Sequence, residues 1–402
     1  MGYRILYHHR TQALDGQRVH INAIQQALRD QGHEVLEVSP LPAVESAGGR
    51  AVPTWRRRVL QSVAALTPKG AYEALELSYN VVGYRALMSA IRSFEPSFIY
   101  ERYALNTVAG VWASQRAGVP LLLEVNSPLA EEKSRLNQLL FHGVALRLER
   151  YALRRATGVL AVTDVLADML RASAGLRNGR VVTVHNGVDP DEIARRDCER
   201  AAARAELGCG DDAVVVGAVG FFREWHGIDI ALKAFADLRG AAPRATIVLV
   251  GDGPAVPDLQ RLTIDLGLAS SVTFTGAVPH ERVARHLSAM DAVIIPRAVE
   301  YASPLKLFEY MAAGKAIIAP RQPNLLEVVT DGHDALCFDP DDVAGFRAAL
   351  ARTLRDADLR ARLGAAGRAT IASKRLTWSG NAARITQTFE RLTRGQQGGG
   401  RS

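Results

Sequence analysis

At 402 residues and 43.5 kDa the chain exceeds what one hydrophobic core ordinarily serves, so two domains are expected. Its composition, 48% apolar and 23% charged, is that of a globular protein, and its apolar runs are too short to span a bilayer. The net charge of +7 sits mostly in residues 1–190, with 22 Lys and Arg against 16 Asp and Glu; without a nucleic-acid-binding motif this favours a phosphorylated ligand or an anionic membrane surface over nucleic acid.

The first element is a strand, Arg4–His9, with no signal-peptide pattern before it, so a cytoplasmic protein is expected. Short β-branched runs with helical segments between them follow at Glu34–Ser39, Ser97–Glu101, Pro120–Asn126, Val159–Thr163 and Val181–His185. The pattern then repeats at Ala213–Val219, Thr246–Gly251, Val272–Gly276, Ala292–Pro296, Ala316–Ala319 and Ala335–Phe338. Six strands per half alternating with helices predict an α/β fold of two doubly wound Rossmann-like domains facing a central cleft. The turn Asn186-Gly-Val-Asp-Pro190 marks the seam, giving domains at 1–188 and 189–376. A last helix over 377–394 is expected to pack back on the first domain, with a disordered Gly-rich tail at 395–402.

Between the first strand and the first helix, Asp15-Gly-Gln-Arg-Val-His20 places Gly16 where backbone can approach a phosphate or sugar, with His20 on the following helix face. The stretch Thr54-Trp-Arg-Arg-Arg-Val-Leu60, continuing through Tyr72–Phe94, sets aromatics beside arginines and suits either an anionic headgroup layer or a solvated helix face. Leu123-Glu-Val-Asn-Ser-Pro128 ends the fourth strand, where Glu124 and Asn126 either face the ligand side of the sheet or simply bond the following loop. Cys198, Cys209 and Cys337 are scattered, which fits neither a disulfide framework nor metal ligation. No His/Cys pair has ligand spacing and no metal is expected, so phosphate charge must be met by protein groups.

The second half carries the chemistry. Val219-Gly-Phe-Phe-Arg-Glu-Trp-His-Gly-Ile-Asp229 reads as strand, tight loop and helix start, with Gly220, Arg223 and His226 in the loop and Trp225 as either a loop residue or a core plug. Tyr301-Ala-Ser-Pro-Leu-Lys-Leu-Phe-Glu-Tyr-Met-Ala-Ala-Gly314 follows a strand and opens a helix. Ser303 reads as N-cap and Pro304 as first helical residue, with Lys306 adding a charge in the first turn. Free N–H groups and the positive helix end favour a diphosphate there, and Glu309 suits a ribose diol. On residues alone, a capped amphipathic helix with solvated Lys306 and Glu309 fits as well.

These motifs resemble the retaining family 4 glycosyltransferases, in which two Glu residues eight positions apart mark the donor site ahead of a small-residue run. Glu309 matches the second Glu and Met311-Ala-Ala-Gly314 the run, while Tyr301 stands where the first Glu would, with Glu300 one place off. The resemblance implies a GT-B fold and a glycosyltransferase using a UDP- or GDP-sugar. Arg223 and Lys306 would then neutralise the leaving diphosphate, and Glu309 would hold ribose. Gly220, His226, Glu300, Tyr301, Ser303 and Leu305 would line the donor, with Val278, in Phe274-Thr-Gly-Ala-Val-Pro279, beside the nucleobase. His20, Glu124 and Asn126 would lie on the acceptor side. It further implies a glycan, lipid-linked or small-molecule acceptor and polysaccharide or glycoconjugate synthesis, in the cytoplasm or at the inner face of the membrane. A nucleotide-sugar epimerase of the same fold and a non-catalytic nucleotide-sugar-binding partner remain as rivals. A dehydrogenase does not, because no Gly-x-Gly-x-x-Gly opens either first helix.

Overall fold

A computed structural model describes residues 2–11, 16–40, 69–195 and 199–398. Asp15, the arginine-rich stretch Thr54–Leu60 and Cys198 lie outside these residues, as does the end of the tail from 399. The chain forms two compact units: the first takes in the chain to Val184 and again from Ala382, and the second is His185–Asn381.

Each unit is built on a six-stranded, wholly parallel sheet, and every expected strand is present. In the first unit these are β1 (Arg4–His8), β2 (Glu34–Val38), β3 (Phe98–Arg102), β4 (Leu121–Val125), β5 (Gly158–Ala161) and β6 (Val181–Thr183). They lie in the order β2-β1-β3-β4-β5-β6. β3, β4 and β5 are buried throughout, as strands are when helices cover both faces of a parallel sheet; their apolar runs are interrupted only by Glu101 and Arg102 at the end of β3 and Glu124 near the end of β4. The order in which strands are added reverses between β1 and β3, so the carboxyl ends of these two parallel strands flank the switch point. The last helix, Trp378–Gly398, belongs to this unit from Ala382 onward. There Phe389 stacks on Phe98 at 4.5 Å between ring centroids, and Glu390 accepts a 2.8 Å hydrogen bond from the Tyr3 hydroxyl. The helix continues through Gly395, where the sequence reading placed the start of the tail.

The second unit holds β7 (Val215–Val219), β8 (Thr246–Val250), β9 (Val272–Phe274), β10 (Ala292–Ile294), β11 (Ala316–Pro320) and β12 (Leu336–Phe338). Their order is β12-β11-β10-β7-β8-β9, the arrangement of a dinucleotide-binding sheet, with its switch point between β7 and β10. Alternation along the strands divides the core. Val215, Val219, Val248, Val250, Val293 and Ile317 face one layer, and Val216, Ala218, Ile247, Leu249, Ile294 and Ile318 the other. The seam falls before Asn186 for a visible reason. Val184 N–H still bonds Ala161 at the end of β5, whereas Val188 N–H bonds Leu376 of the second unit. Among the described residues no helix is long and apolar enough to cross a membrane.

Candidate functional site

The helix Leu305–Ala312 buries Leu307, Phe308, Tyr310 and Met311 against the β7–β10 layer. That commitment leaves Lys306 and Glu309, three apart and therefore on one face, half-buried toward the strand ends. The Tyr310 hydroxyl accepts the Val219 N–H at 2.7 Å and pins the helix to the last residue of β7. Lys306 Nζ consequently stands beside Gly220, 3.3 Å from where a Cβ on that glycine would be.

The loop after β7 is held from below. Gly220 N–H bonds Val250 at 3.0 Å, Phe222 N–H bonds Asp252 at 2.7 Å, and Ala255 N–H bonds Phe222 at 3.2 Å. The turn Gly251-Asp-Gly-Pro254 therefore braces this loop. Gly251 (φ +130°) and Gly253 (φ +149°) pack so closely that a Cβ would stand 1.9 Å from the Gly220 carbonyl oxygen and 2.2 Å from that of Phe222. Phe222 is buried, while Phe221, Arg223 and Trp225 are exposed. Trp225 is thus not a core plug; it lies against His226, with 4.0 Å between ring centroids. The Arg223 guanidinium sits 5.2 Å over the Phe221 ring and has no carboxylate partner among the described residues.

The electrostatics follow from this crowding. Burial lowers the Lys306 ammonium to about 8, partly offset by Glu309, and it makes no hydrogen bond to any described residue. Burial, then Lys306 and Arg223, lower His226 to about 4, so its imidazole is neutral near pH 7. Its Nδ1 accepts the Arg223 N–H at 3.0 Å, which places the ring hydrogen on Nε2. His226 is therefore a neutral hydrogen-bond donor. Burial raises Glu309, against the lowering pull of His280, 4.0 Å away, and Lys306. Lys306 and Arg223 both add to the lowering of His226, so this imidazole sits in a positive field that an anion would offset.

One sequence expectation is corrected. The helix begins at Leu305, with Pro304 in the cap position and no side-chain cap. Ser303 does not cap it because Asn186 claims the residue: Asn186 N–H bonds Ser303 Oγ at 3.2 Å, and Asn186 Nδ2 bonds its carbonyl at 2.5 Å. The preceding loop, with exposed Glu300 and half-buried Tyr301, is clamped by Asn324, whose Nδ2 bonds the Val299 and Ala302 carbonyls at 2.9 and 2.7 Å. Val278 is half-buried against the same core layer as Leu307. Asn186, Asn324 and Tyr310 support the site without having been singled out in the sequence; each acts on a residue at least 22 positions away.

In the first unit Gly16 opens the first helix and is exposed. His20, Glu124 and Asn126 come together in a buried network around Arg102. Glu124 accepts from Arg102 at 2.5 Å, from Asn126 at 2.5 Å and from the Tyr100 hydroxyl at 2.6 Å. His20 Nδ1 receives Arg102 at 3.1 Å, and burial lowers this imidazole to about 4. Burial raises the Glu124 carboxyl, but His20, Arg102 and its hydrogen bonds outweigh that, leaving it below its ordinary value. Glu124 is a committed acceptor, not a free base. Among the described residues no His/Cys/Asp/Glu group is arranged to hold a metal ion.

Two family models divide the chain as its sheets do. Residues 14–192 match Glycosyltransferase Family 4 and residues 199–370 match Glycosyl transferases group 1. The chain is 29% identical to alpha-D-kanosaminyltransferase of Streptomyces kanamyceticus, over 62% of its own length and 65% of that protein. It is 31% identical to 2-deoxystreptamine glucosyltransferase of the same organism, over 63% of this chain and 67% of that one. A D-inositol 3-phosphate glycosyltransferase of Catenulispora acidiphila is 30% identical, over 74% and 72% respectively. Among solved structures, HepE of Anabaena in complex with UDP-glucose superposes with a TM-score of 0.71 at 21% identity, covering 97% of this chain and all of that one. At that identity the likeness speaks for the fold.

Proposed function

Because the chain belongs to the family 4 glycosyltransferases and has their GT-B architecture, we propose that it moves a sugar, with retention of anomeric configuration, from a UDP- or GDP-sugar to an acceptor hydroxyl. The observation that carries this reading is the cluster at the switch point of the second sheet: Lys306, beside Gly220, and Arg223, two cations with no hydrogen-bonded carboxylate among the described residues, and the neutral His226 Nε2–H on the braced loop. Donors of this kind aimed at a leaving diphosphate stabilise the charge that develops as the glycosidic bond breaks. The free N–H groups in the first turn of the helix Leu305–Ala312 would add to this, and Glu309 would take the ribose diol. No metal is needed in this account, since protein groups meet the phosphate charge.

The donor belongs to the second unit and the acceptor, a glycan, lipid-linked or small-molecule hydroxyl compound, to the first. The names of the relatives, a kanosaminyltransferase and a glucosyltransferase, support a hexose-type sugar. A panel of nucleotide sugars scored by thermal shift tests the reading. A ligand that binds only the folded chain at 100 times its dissociation constant adds about 2.7 kcal/mol. UDP- or GDP-sugars should raise the transition while the free sugars do not; a panel in which no nucleotide sugar does so removes the proposal.

We extend the proposal to peripheral contact with an anionic membrane. The helix Lys69–Phe94 exposes Leu75, Val81 and Val82 together with Arg85 and Arg92. Co-sedimentation with anionic vesicles should retain the chain at low salt and release it as salt rises; no binding at low salt would discard the idea.

A further inference from the structure

Arg18 and Arg102, at the carboxyl end of the first sheet, are each spent on a carboxylate: Arg18 bonds Glu37 at 3.2 Å, and Arg102 bonds Glu124. Arg10, two residues beyond β1, is not. Its Nη1 donates to two neutral oxygens, the Leu105 carbonyl at 3.3 Å and Thr107 Oγ1 at 2.8 Å, and no carboxylate comes within ion-pair distance among the described residues. The acidic groups of the neighbouring segments are engaged without it. Glu101 lies 2.6 Å from His8 Nδ1, and Glu76 accepts from Asn106 at 3.2 Å.

The guanidinium is nonetheless held in place. Leu105 and Thr107 are buried and follow β3, so Arg10 spans the two loops that flank the switch point, where sheets of this kind bind ligands. Its plane covers the ring of Tyr79, from the helix Lys69–Phe94, at 4.3 Å. With Nη1 committed and one face covered, Nε–H and the two Nη2 hydrogens remain, the two-pronged edge whose geometry matches a carboxylate or phosphate. Neither nitrogen has a partner among the described residues or is sealed from solvent, and Arg10 as a whole is only half-buried. An arginine is charged at every working pH, so no protonation state enters the argument. A cation already fixed by stacking and hydrogen bonds also loses less freedom on binding than a mobile surface arginine would. The basic surplus of residues 1–190, 22 Lys and Arg against 16 Asp and Glu, favours an anionic ligand on this unit.

We propose that the Nε–Nη2 edge of Arg10 binds an oxyanion, a phosphate or a carboxylate, carried by the acceptor substrate at the switch point of the first sheet. Tyr79, Leu105 and Thr107 are the groups that aim it. The proposal rests on the glycosyl-transfer reading and adds a charge requirement to the acceptor.

The test uses the full chain saturated with UDP or GDP, whichever raises its thermal transition, so that the diphosphate site is filled. Glucose 6-phosphate, glycerol 3-phosphate and glucuronate are then titrated against glucose and glycerol. Oxyanion compounds should raise the transition further and their neutral parents should not; a response to the two phosphates alone assigns the edge to phosphate, and one to glucuronate alone assigns it to carboxylate. Arg10→Gln should weaken the oxyanion response about tenfold or more, the scale of a lost charge-assisted hydrogen bond, and leave the response to the nucleotide as in wild type. No oxyanion compound exceeding its neutral parent, or an equal response in Arg10→Gln, overturns the proposal. If Arg10→Gln does not fold, Arg10→Lys decides: a point charge cannot grip two oxygens at once, and an undiminished response there overturns the proposal as well. A wild type that responds to no nucleotide but keeps an Arg10-dependent oxyanion response fails the underlying reading and not this site.

Discussion

Lys306→Ala should lower kcat/KM for glycosyl transfer about 100-fold, the scale of removing one preorganised charge from a developing anion, without lowering stability. The two halves of this expectation have one origin. Lys306 is half-buried without a hydrogen-bonding partner among the described residues, so the folded protein bears a cation that burial disfavours. With its folded value near 8 and an unfolded value near about 10.4, the unfolded chain binds the extra proton between these limits. Stability therefore rises with pH across that window, and below it the destabilisation is fully present. Diphosphate binding runs the opposite way, weakening as pH rises through about 8 and the ammonium is lost. Titrating nucleotide affinity and thermal stability between pH 7 and 10 in wild type and Lys306→Ala checks both signs. Affinity of wild type that is flat across this range would remove Lys306 from the phosphate contact.

Arg102→Met should be the costliest single change in the first unit, about 3 to 5 kcal/mol, because it strands Glu124 as a buried carboxylate facing only neutral donors. The pair is almost wholly enclosed, with side chains 10% and 4% exposed. The sign with pH follows from the Glu124 carboxyl, which His20, Arg102 and its hydrogen bonds hold low against the raising effect of burial. A depressed carboxyl contributes stability above its unfolded value of about 4.3, and that contribution disappears as pH falls through its folded value. The wild-type advantage over Arg102→Met should thus be largest near neutrality and shrink on acidification. Denaturant unfolding at pH 7 and pH 4 measures it; an equal gap at both would show that the lost packing of the Arg102 stem, not the ion pair, carries the effect.

How much of this was readable in the chain depends on the range of the interaction. All twelve strands were legible: the central ones as short, mostly apolar runs buried on both faces, and edge strands such as β2, which carries Glu34 and Glu37, from their β-branched content and their place between helical segments. Their ends were less so: Ser97 and Pro120 lie just outside β3 and β4, where ladder hydrogen bonds decide and hydropathy does not change. The spacing of Lys306 and Glu309 already placed them together, since the residues between and beside them are apolar at helical period. Ser303 misled because Ser-Pro before an apolar run is a local capping signal, and Asn186, far away in sequence, overrode it. The neutrality of His226 was hidden for the same reason, for Lys306 is 80 positions away and burial cannot be read from the loop.

The first unit showed the same limit in another form. Glu101 and Arg102 end a strand whose other residues are apolar, a signal for buried charge that the sequence reading passed over. Glu124 and His20 were marked as acceptor-side groups with a structural role left open, but not their engagement by Arg102 and its neighbours. Paired charges on neighbouring strands, 22 positions apart in the chain, leave no spacing pattern to recognise.

The central claim is that the cluster of Lys306, Arg223 and His226 on the braced Gly220 loop holds the diphosphate of a nucleotide-sugar donor. A crystal structure of the chain with UDP or GDP, whichever raises the thermal transition, tests it most directly. The account predicts diphosphate oxygens about 3 Å from Lys306 Nζ and His226 Nε2, with the ribose diol on Glu309. A nucleotide bound elsewhere, with Lys306 still unpartnered, would contradict it.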